Sequence, residues 1–498
     1  MVTTQTDVLV VGAGPTGLML ATVLARLGVD HVLIDGKAAP TTESRAVAVQ
    51  ARTLEIYDQL GLVDEVLAES TRAEALSPGY LDREYATIPL QNLGGRGTRF
   101  PFVSIFEQNR NERLLVAAHR RLGGEVLWNR TLEQLADEAS GVIATLDDGS
   151  RVRARYAVGA DGASSLVRRL RGIGFAGTTS AHTFFVIDAA DLQGLRPTAV
   201  NVRLGRGELL LSFPMGGGRD ARLIGVVPGE YTASDALDAA LRERIAATYG
   251  VTWGVANWLS TYRVHHRMAE RFRDGAVFLA GDAAHVHSPV GAQGMNTGLQ
   301  DAHNLACKLA DVLQGRAPES YLDSYEAERL PVARLVIAAT ERAFGLVTSD
   351  RRVVRAAIRI LVPVVAPVMG RLLPRLPLGR RIFGYLSQTR IRYPMPGMDA
   401  RGRRDPVVGR RLPPFADNNE ALRAFAWQVH AYGEADLLGA RSLGLPVHEY
   451  AAPSESALRA GWLYLIRPDG FVAAAGVTGA ALTVGLPHIP RQNAGDTK

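Results

Sequence analysis

The sequence predicts an α/β fold: a parallel nucleotide-type sheet with an antiparallel sheet inserted into it and a further module at the C-terminus. Three observations predict it. An apolar strand, a glycine-rich turn and a helix open the chain; a second glycine-rich stretch recurs past the middle; short alternating strands lie between. They describe one site assembled from distant segments.

The opening unit follows from periodicity. Residues 7–11 (DVLVV) are a continuous apolar run, as a strand covered on both faces requires, and residues 15–27 read as a helix closed by Gly28. Residues 31–34 form a second strand with Asp35 at its tip, completing a βαβ unit. Between strand and helix stands Gly12-Ala13-Gly14-Pro15-Thr16-Gly17. Gly12 allows the tight turn, Gly14 lets backbone approach a diphosphate, and Gly17 permits close helix packing, so the anion meets the helix N-terminus. Asp35 is placed to accept hydrogen bonds from an adenosine ribose.

Helices are expected at 52–60 and 112–122, and strands at 126–128 and 142–146. Asp161-Gly162 follows a strand at 156–158 and precedes a helix; alone it reads as a capping turn, with Asp161 or Ser164 as N-cap. From 183 to 227 the pattern changes to short alternating strands, an antiparallel sheet inserted where it could cover a substrate. A buried strand at 276–280 then leads into Gly281-Asp282-Ala283-Ala284-His285, a loop at 289–296, and a helix over about 293–313. Asp282 at a strand end can bind ribityl or ribose hydroxyls. The loop brings backbone N–H groups to a helix start, which alone reads equally as a helix cap in a Gly-rich loop or as a seat for the N1 and C2 carbonyl edge of an isoalloxazine, where negative charge gathers on reduction. A dehydrogenase would close its nucleotide site within one compact domain. Two stretches this far apart point to one long ligand held at both ends, and FAD is the obvious candidate.

Composition bounds the rest. A chain of 498 residues can hold two or three domains, and 47% hydrophobic with 21% charged residues excludes disorder as the dominant state. The net charge is +6, with 53 arginines but only three lysines, Lys37, Lys308 and Lys498. The arginines read as scattered, a compositional bias rather than a nucleic-acid stripe. Cys307 is the only cysteine, so no intrachain disulfide is possible, and no basic region with a long apolar segment opens the chain; a cytoplasmic setting is expected. Residues 321–390 read as largely helical. Their most apolar part, 353–377, is interrupted by Arg355, Arg359, Arg371 and Arg375 and by Pro363, Pro367, Pro374 and Pro377, so an amphipathic or packed helix pair is expected there and no membrane. A Pro-, Gly- and Arg-rich linker follows Arg390. His285 and His287 have only Asp301 near metal-ligand spacing, which favours a loop role beside the flavin and no metal.

These motifs resemble the class A flavoprotein monooxygenases, FAD-dependent aromatic hydroxylases of the para-hydroxybenzoate hydroxylase type. GAGPTG at 12–17, the DG stretch at 159–168, and GDAAH with PxxxxGMN at 281–296 match that family in order and approximate spacing. LSQTRIRYP at 386–394 and LIRPDGFV at 465–472 are similar to its phenol- and polyketide-hydroxylase-like branches, which carry a thioredoxin-like C-terminal domain. The resemblance covers the whole chain. It implies a Rossmann-like FAD-binding domain at 1–75, 101–175 and 274–345, and a substrate domain at 76–100 and 176–273. A helical connector at 346–392 and a thioredoxin-like domain at 393–498 complete the chain.

It also implies roles. Arg45 would contact the cofactor near a mobile isoalloxazine, Gln108 would be an FAD contact with Arg113 approaching phosphate, and Asp161 would serve FAD and NADPH. With Gly12, Gly14, Pro15, Thr16, Gly17, Asp35, Gly281, Asp282, Pro289, Gly294, Met295 and Asn296, these make the expected cofactor site. Phe213, Pro214 and Met215, with the loop at Pro289, would line the substrate. Ala46-Val47-Ala48 carries no carboxylate where some relatives place the acid that deprotonates a phenol. No catalytic base is therefore assigned; Arg45 and Pro289 are the candidates nearest the chemistry, and Tyr262 and His265 the titratable ones. The implied reaction uses NADPH or NADH and O2 to hydroxylate a phenolic or polycyclic polyketide-type ring, in a monomer or homodimer. Inactivation of an antibiotic by the same chemistry, or a non-catalytic FAD-holding role, is the alternative.

Overall fold

The computed structural model describes residues 3–487 except 43, 45, 95–96, 217, 229–234, 289–290, 350, 397–404 and 455. Among them the strand Thr3–Val11 lies near the middle of an eight-stranded sheet, parallel to His31–Asp35 on one side and to Arg151–Gly159 on the other. Val277–Leu279 continues the parallel set beyond Arg151–Gly159, so the two glycine stretches leave the strands on either side of Arg151–Gly159 in one sheet. Val8, Leu9 and Val10 are wholly buried, which is why this strand is apolar without alternation. The helix Pro15–Arg26 packs on Gly294–Leu313, the helix that follows the second stretch.

The inserted sheet has nine strands. Phe175–Ala189 pairs antiparallel with Asp220–Pro228 and with Ala256–Ala269. The sheet continues through Leu209–Met215 to Ala199–Leu204, which runs parallel to Ala75–Tyr80, so the sheet is mixed and takes a strand from much earlier in the chain. Its alternation is visible at Leu209–Met215, where one set of side chains joins a core of Phe184, Phe213 and Ile224.

Three helices follow, Asp323–Val347, Arg352–Leu372 and Pro377–Leu386. The first joins the core of the eight-stranded sheet through Tyr325, Leu330 and Ala333 and that of the inserted sheet through Phe344. The second has no fully buried residue; it lies along Ala75–Tyr80 and leaves its other side exposed, an amphipathic arrangement. A C-terminal sheet follows in the order Val447–Tyr450, Gln428–Tyr432, Trp462–Ile466, Val472–Gly476, the first pair parallel and the rest antiparallel. It has its own core around Val429, Leu463, Leu465 and Val472.

Buried charge joins this module to the rest. Arg467 contacts Glu328 at 2.7 Å and Asp469 at 2.6 Å, Lys308 contacts Glu328 at 3.0 Å, and Asn304 donates to both carboxylates. Four charged groups at most 4% exposed persist only because each faces an opposite charge and further hydrogen bonds.

Candidate cofactor and substrate site

One cavity of about 910 Å³ is lined by both glycine stretches and by the inserted sheet. Gly12, Gly14, Pro15, Thr16, Asp282, Gly294 and Met295 reach it from the two stretches, Asp35, Gln108 and Asp161 from other segments at the eight-stranded sheet, and Phe213, Ile224, Tyr262, Val264 and His265 from the inserted sheet. Its size lies at the upper end of the ~300–1,000 Å³ usual for small-ligand sites.

Backbone geometry builds the first wall. Gly12 has φ +104°, and a Cβ there would stand 2.5 Å from the Ala160 carbonyl oxygen, so only glycine carries the chain through this turn. Asp35 accepts from the Ala13 N–H at 2.6 Å and the Lys37 N–H at 2.7 Å, which pins the turn to the tip of the second strand. The helices Pro15–Arg26 and Gly294–Leu313 both begin at the cavity, and neither has a side-chain cap at its N-terminus. Their first-turn N–H groups are available to an anionic or electron-rich ligand.

Asp161 does two things. Its Oδ2 accepts from the Leu166 and Val167 N–H groups at 2.7 and 3.1 Å, while Oδ1 is buried without a protein partner. The N-cap of that short helix is neither Asp161 nor Ser164 but Ser165, whose Oγ accepts from the Arg168 N–H at 3.0 Å. An orphaned acceptor lining a cavity fits a ligand hydroxyl. Two uncapped helix starts, an unpartnered carboxylate oxygen and open space above Gly14 together fit a dinucleotide carrying a flavin.

Residues distant in sequence hold these parts in place, in roles that no motif marks. Arg168, 5% exposed, donates to the Ala283 carbonyl at 2.7 Å and to the Ala163 carbonyl at 2.7 Å, tying the DG stretch to the GD stretch. Asp301, fully buried, accepts from the Gly281 N–H at 3.1 Å, His285 Nε2 at 2.7 Å and Arg329 Nε at 2.6 Å. His285 Nε2 thus helps to position the second stretch. Glu112, 1% exposed, accepts from the Thr41 N–H at 2.8 Å and from Gln108 Nε2 at 3.1 Å. Arg222, equally buried, pairs with Asp188 at 2.6 Å and donates to Ser44 Oγ at 3.0 Å, which ties the inserted sheet to the loop before Ala46.

Several expected residues stand elsewhere. Arg113 is exposed and does not line the cavity; one position earlier on the helix Gln108–Arg121, Glu112 takes the inward side, because adjacent helical residues point about 100° apart. Asn296 cannot serve a ligand through its side chain. Its Oδ1 accepts from the Gln50 N–H and Thr53 Oγ1, and its Nδ2 donates to the Ala48 and Ala292 carbonyls, which exhausts the amide. Pro214 and Met215 do not line the cavity, although Phe213 does: strand alternation turns Pro214 away, and Met215 packs against the adjoining core. Gly17 and Gly281 stand behind the wall, where Gly281, at φ +62°, is pressed against the Thr16 side chain. Arg45 and Pro289 lie outside the described residues.

Of the two titratable candidates, Tyr262 stacks on Phe184 with ring centroids 5.7 Å apart, and His265 Nδ1 lies 2.9 Å from Thr179 Oγ1. Burial, then the nearby Arg267 and Arg263, lowers the His265 pKa below its ordinary value. The imidazole is therefore neutral at pH 7. His287, also in the cavity wall, is pushed down to about 4, mainly by burial.

Residues 5–340 match the FAD binding domain family. The chain is 38% identical over 354 residues to a rifampicin monooxygenase of Streptomyces venezuelae, covering 69% of this chain and 72% of that one. It is 32% identical over 499 residues to a 12-dehydrotetracycline 5-monooxygenase/anhydrotetracycline 6-monooxygenase of Streptomyces rimosus, covering 94% of each. The solved structure of an anhydrotetracycline hydroxylase from Streptomyces rimosus has a TM-score of 0.76 at 30% identity, over 97% of this chain and 100% of that one. With one cavity shared by both glycine stretches and matches of this extent, the chain belongs to the FAD binding domain family as an FAD-dependent monooxygenase.

Proposed function

We infer that this chain hydroxylates an electron-rich aromatic ring, phenolic or of the polycyclic polyketide type, using NADPH or NADH and O2. The observation that carries this reading is the single cavity in which cofactor-type backbone meets the apolar and aromatic residues of the inserted sheet. FAD supplies the transfer of electrons from the nicotinamide and the activation of oxygen; the polypeptide binds, orients and excludes water.

Each part has a role in that division of labour. The N–H groups at Gly14 to Thr16 hold the diphosphate, Asp35 the adenosine ribose, Asp161 and Asp282 hydroxyls along the chain of the cofactor, and Gly294 and Met295 the pyrimidine edge of the flavin. Phe213, Ile224 and Val264 make the apolar wall against which a planar ring stacks. His265, neutral at pH 7, accepts a hydrogen bond from a phenolic hydroxyl and so fixes which ring edge faces the flavin. The reading assigns residues 1–75, 101–175 and 274–345 to the cofactor domain, 76–100 and 176–273 to the substrate domain, and 346–392 to a helical connector. It assigns 393–498 to a thioredoxin-like module, which the strand order of the C-terminal sheet supports; lacking cysteine, that module performs no dithiol chemistry. The reaction is placed in the cytoplasm, where reduced nicotinamide is supplied.

The test uses the purified FAD-loaded chain. Phenols, naphthoquinones and anthraquinones are screened for stimulated NADPH or NADH oxidation, with mass spectrometry for one added oxygen. Stoichiometric FAD with no ligand-stimulated oxidation would overturn the reading in favour of a non-catalytic FAD-holding protein. Asp282→Ala is expected to lower FAD retention sharply, and unchanged occupancy would contradict its assignment.

A further inference from the structure

The helices Arg352–Leu372 and Pro377–Leu386 present an apolar surface that none of the described residues covers. Val353, Ile360, Leu361, Val364 and Val368 are 81, 65, 54, 63 and 50% exposed, and their spacing puts them on one side of the first helix. Leu378, Ile382, Tyr385 and Leu386 extend the exposed apolar surface along the second. Twelve of the twenty-one exposed large hydrophobic side chains among the described residues fall between 353 and 386. A concentration of this kind marks an interaction surface rather than chance exposure.

Charge decides what the surface meets. Residues 351–392 contain ten arginines and no lysine, aspartate or glutamate, whereas the rest of the chain has 46 basic and 50 acidic residues. The whole positive excess of the protein therefore sits in this segment, against the expectation that its arginines are scattered. We propose that these two helices form an interfacial anchor that docks the chain on an anionic lipid bilayer, with the Val353–Val368 side lying in the headgroup and upper acyl region.

A second copy of the chain is a poor occupant, since residues 352–386 carry seven arginines and no acid, and pairing two such faces sets those of one copy near those of the other. An anionic bilayer offers apolar depth and negative charge on the same surface, and each arginine close to it strengthens binding by roughly fivefold. The helix does not cross. By length and mean hydropathy it could, but its longest stretch without charge is residues 360–370, well short of the ~20 needed, and Pro363 and Pro367 lie within it. It packs along Ala75–Tyr80 of the inserted sheet, so docking holds the edge of that sheet at the lipid, where a hydrophobic polycyclic compound concentrates.

The test is cosedimentation of the FAD-loaded full chain with vesicles. Mixed phosphatidylglycerol and phosphatidylcholine vesicles are expected to bind it at least tenfold more tightly than phosphatidylcholine alone, and binding should weaken with added salt. Ile360→Glu with Val364→Glu should reduce binding at least tenfold while leaving FAD content and the melting profile unchanged. If that pair perturbs folding, Arg371→Glu with Arg375→Glu and Arg381→Glu must lower binding to the anionic vesicles by at least tenfold. Failure to bind anionic vesicles, or binding that neither variant weakens, overturns the proposal. A dimer in sedimentation velocity that Ile360→Glu with Val364→Glu dissociates would also overturn it, assigning the face to a second copy.

Discussion

Replacing Asp301 with asparagine tests whether buried charge holds the second glycine stretch in place. Burial by itself would raise the Asp301 pKa, but the Arg329 guanidinium and His285 beside it hold the carboxyl below its ordinary range, so the group is ionised. The amide keeps the shape and removes the charge. It also turns one oxygen into a donor, which faces the Gly281 N–H and His285 Nε2 if it takes the Oδ2 position and Arg329 Nε if it takes the Oδ1 position. Arg329, itself 0% exposed, loses its charged partner and is left with neutral acceptors, among them Tyr393 Oη at 2.9 Å and the Thr297 carbonyl at 3.2 Å. Removing one member of such a pair costs about 3–5 kcal/mol, a large share of the ~5–15 kcal/mol that holds a fold together. Urea unfolding followed by FAD fluorescence measures both the loss of stability and the loss of cofactor. Adding Arg329→Met to Asp301→Asn should recover part of the cost, because the orphaned guanidinium is then gone, giving a coupling of about 2 kcal/mol or more. Stability within about 1 kcal/mol of the unmodified chain, with unchanged FAD occupancy, would refute the reasoning.

Two further perturbations probe other parts of the structure. Gly12→Ala forces a Cβ to within 2.5 Å of the Ala160 carbonyl at a φ of +104°, so FAD content after gel filtration should fall at least tenfold; full retention would show that the turn is not the binding element. His303 and His430, at 2% and 0% exposure, are pushed down to about 3, chiefly by burial. Their unfolded forms titrate near 6.5, so the native state binds fewer protons below that pH. The stability they contribute is complete above about pH 6.5 and is lost as pH falls toward 3, by about 1.4 kcal/mol per pH unit for each. Urea midpoints at pH 7 and pH 5 measure this, and equal stability at the two would contradict it.

What could be read from the chain was local. Gly12, Asp35 and the apolar run of Val8 to Val10 are constrained by their immediate neighbours, because a tight turn, a strand tip and a strand covered on both faces each restrict residue type within a few positions. Asn296 shows where that reading stops: its place in a cofactor motif was legible, yet its amide is used up on Gln50, Thr53, Ala48 and Ala292. The same holds for Arg113, whose outward direction depends on the rotation of its helix against the sheet.

Local residue patterns suffice for the βαβ opening, the two glycine stretches and the inserted strands, and hence for the long cofactor they share. Tertiary structure alone decided which side chains join those parts: Arg168 to Ala283, Arg222 to Ser44, Asp301 to Arg329, and Arg467 to Glu328. It also decided that Arg352–Leu372 faces outward. Backbone conformation is set by nearby residues, whereas the partner of a buried charge and the covering of an apolar face depend on segments that meet only when the chain has folded.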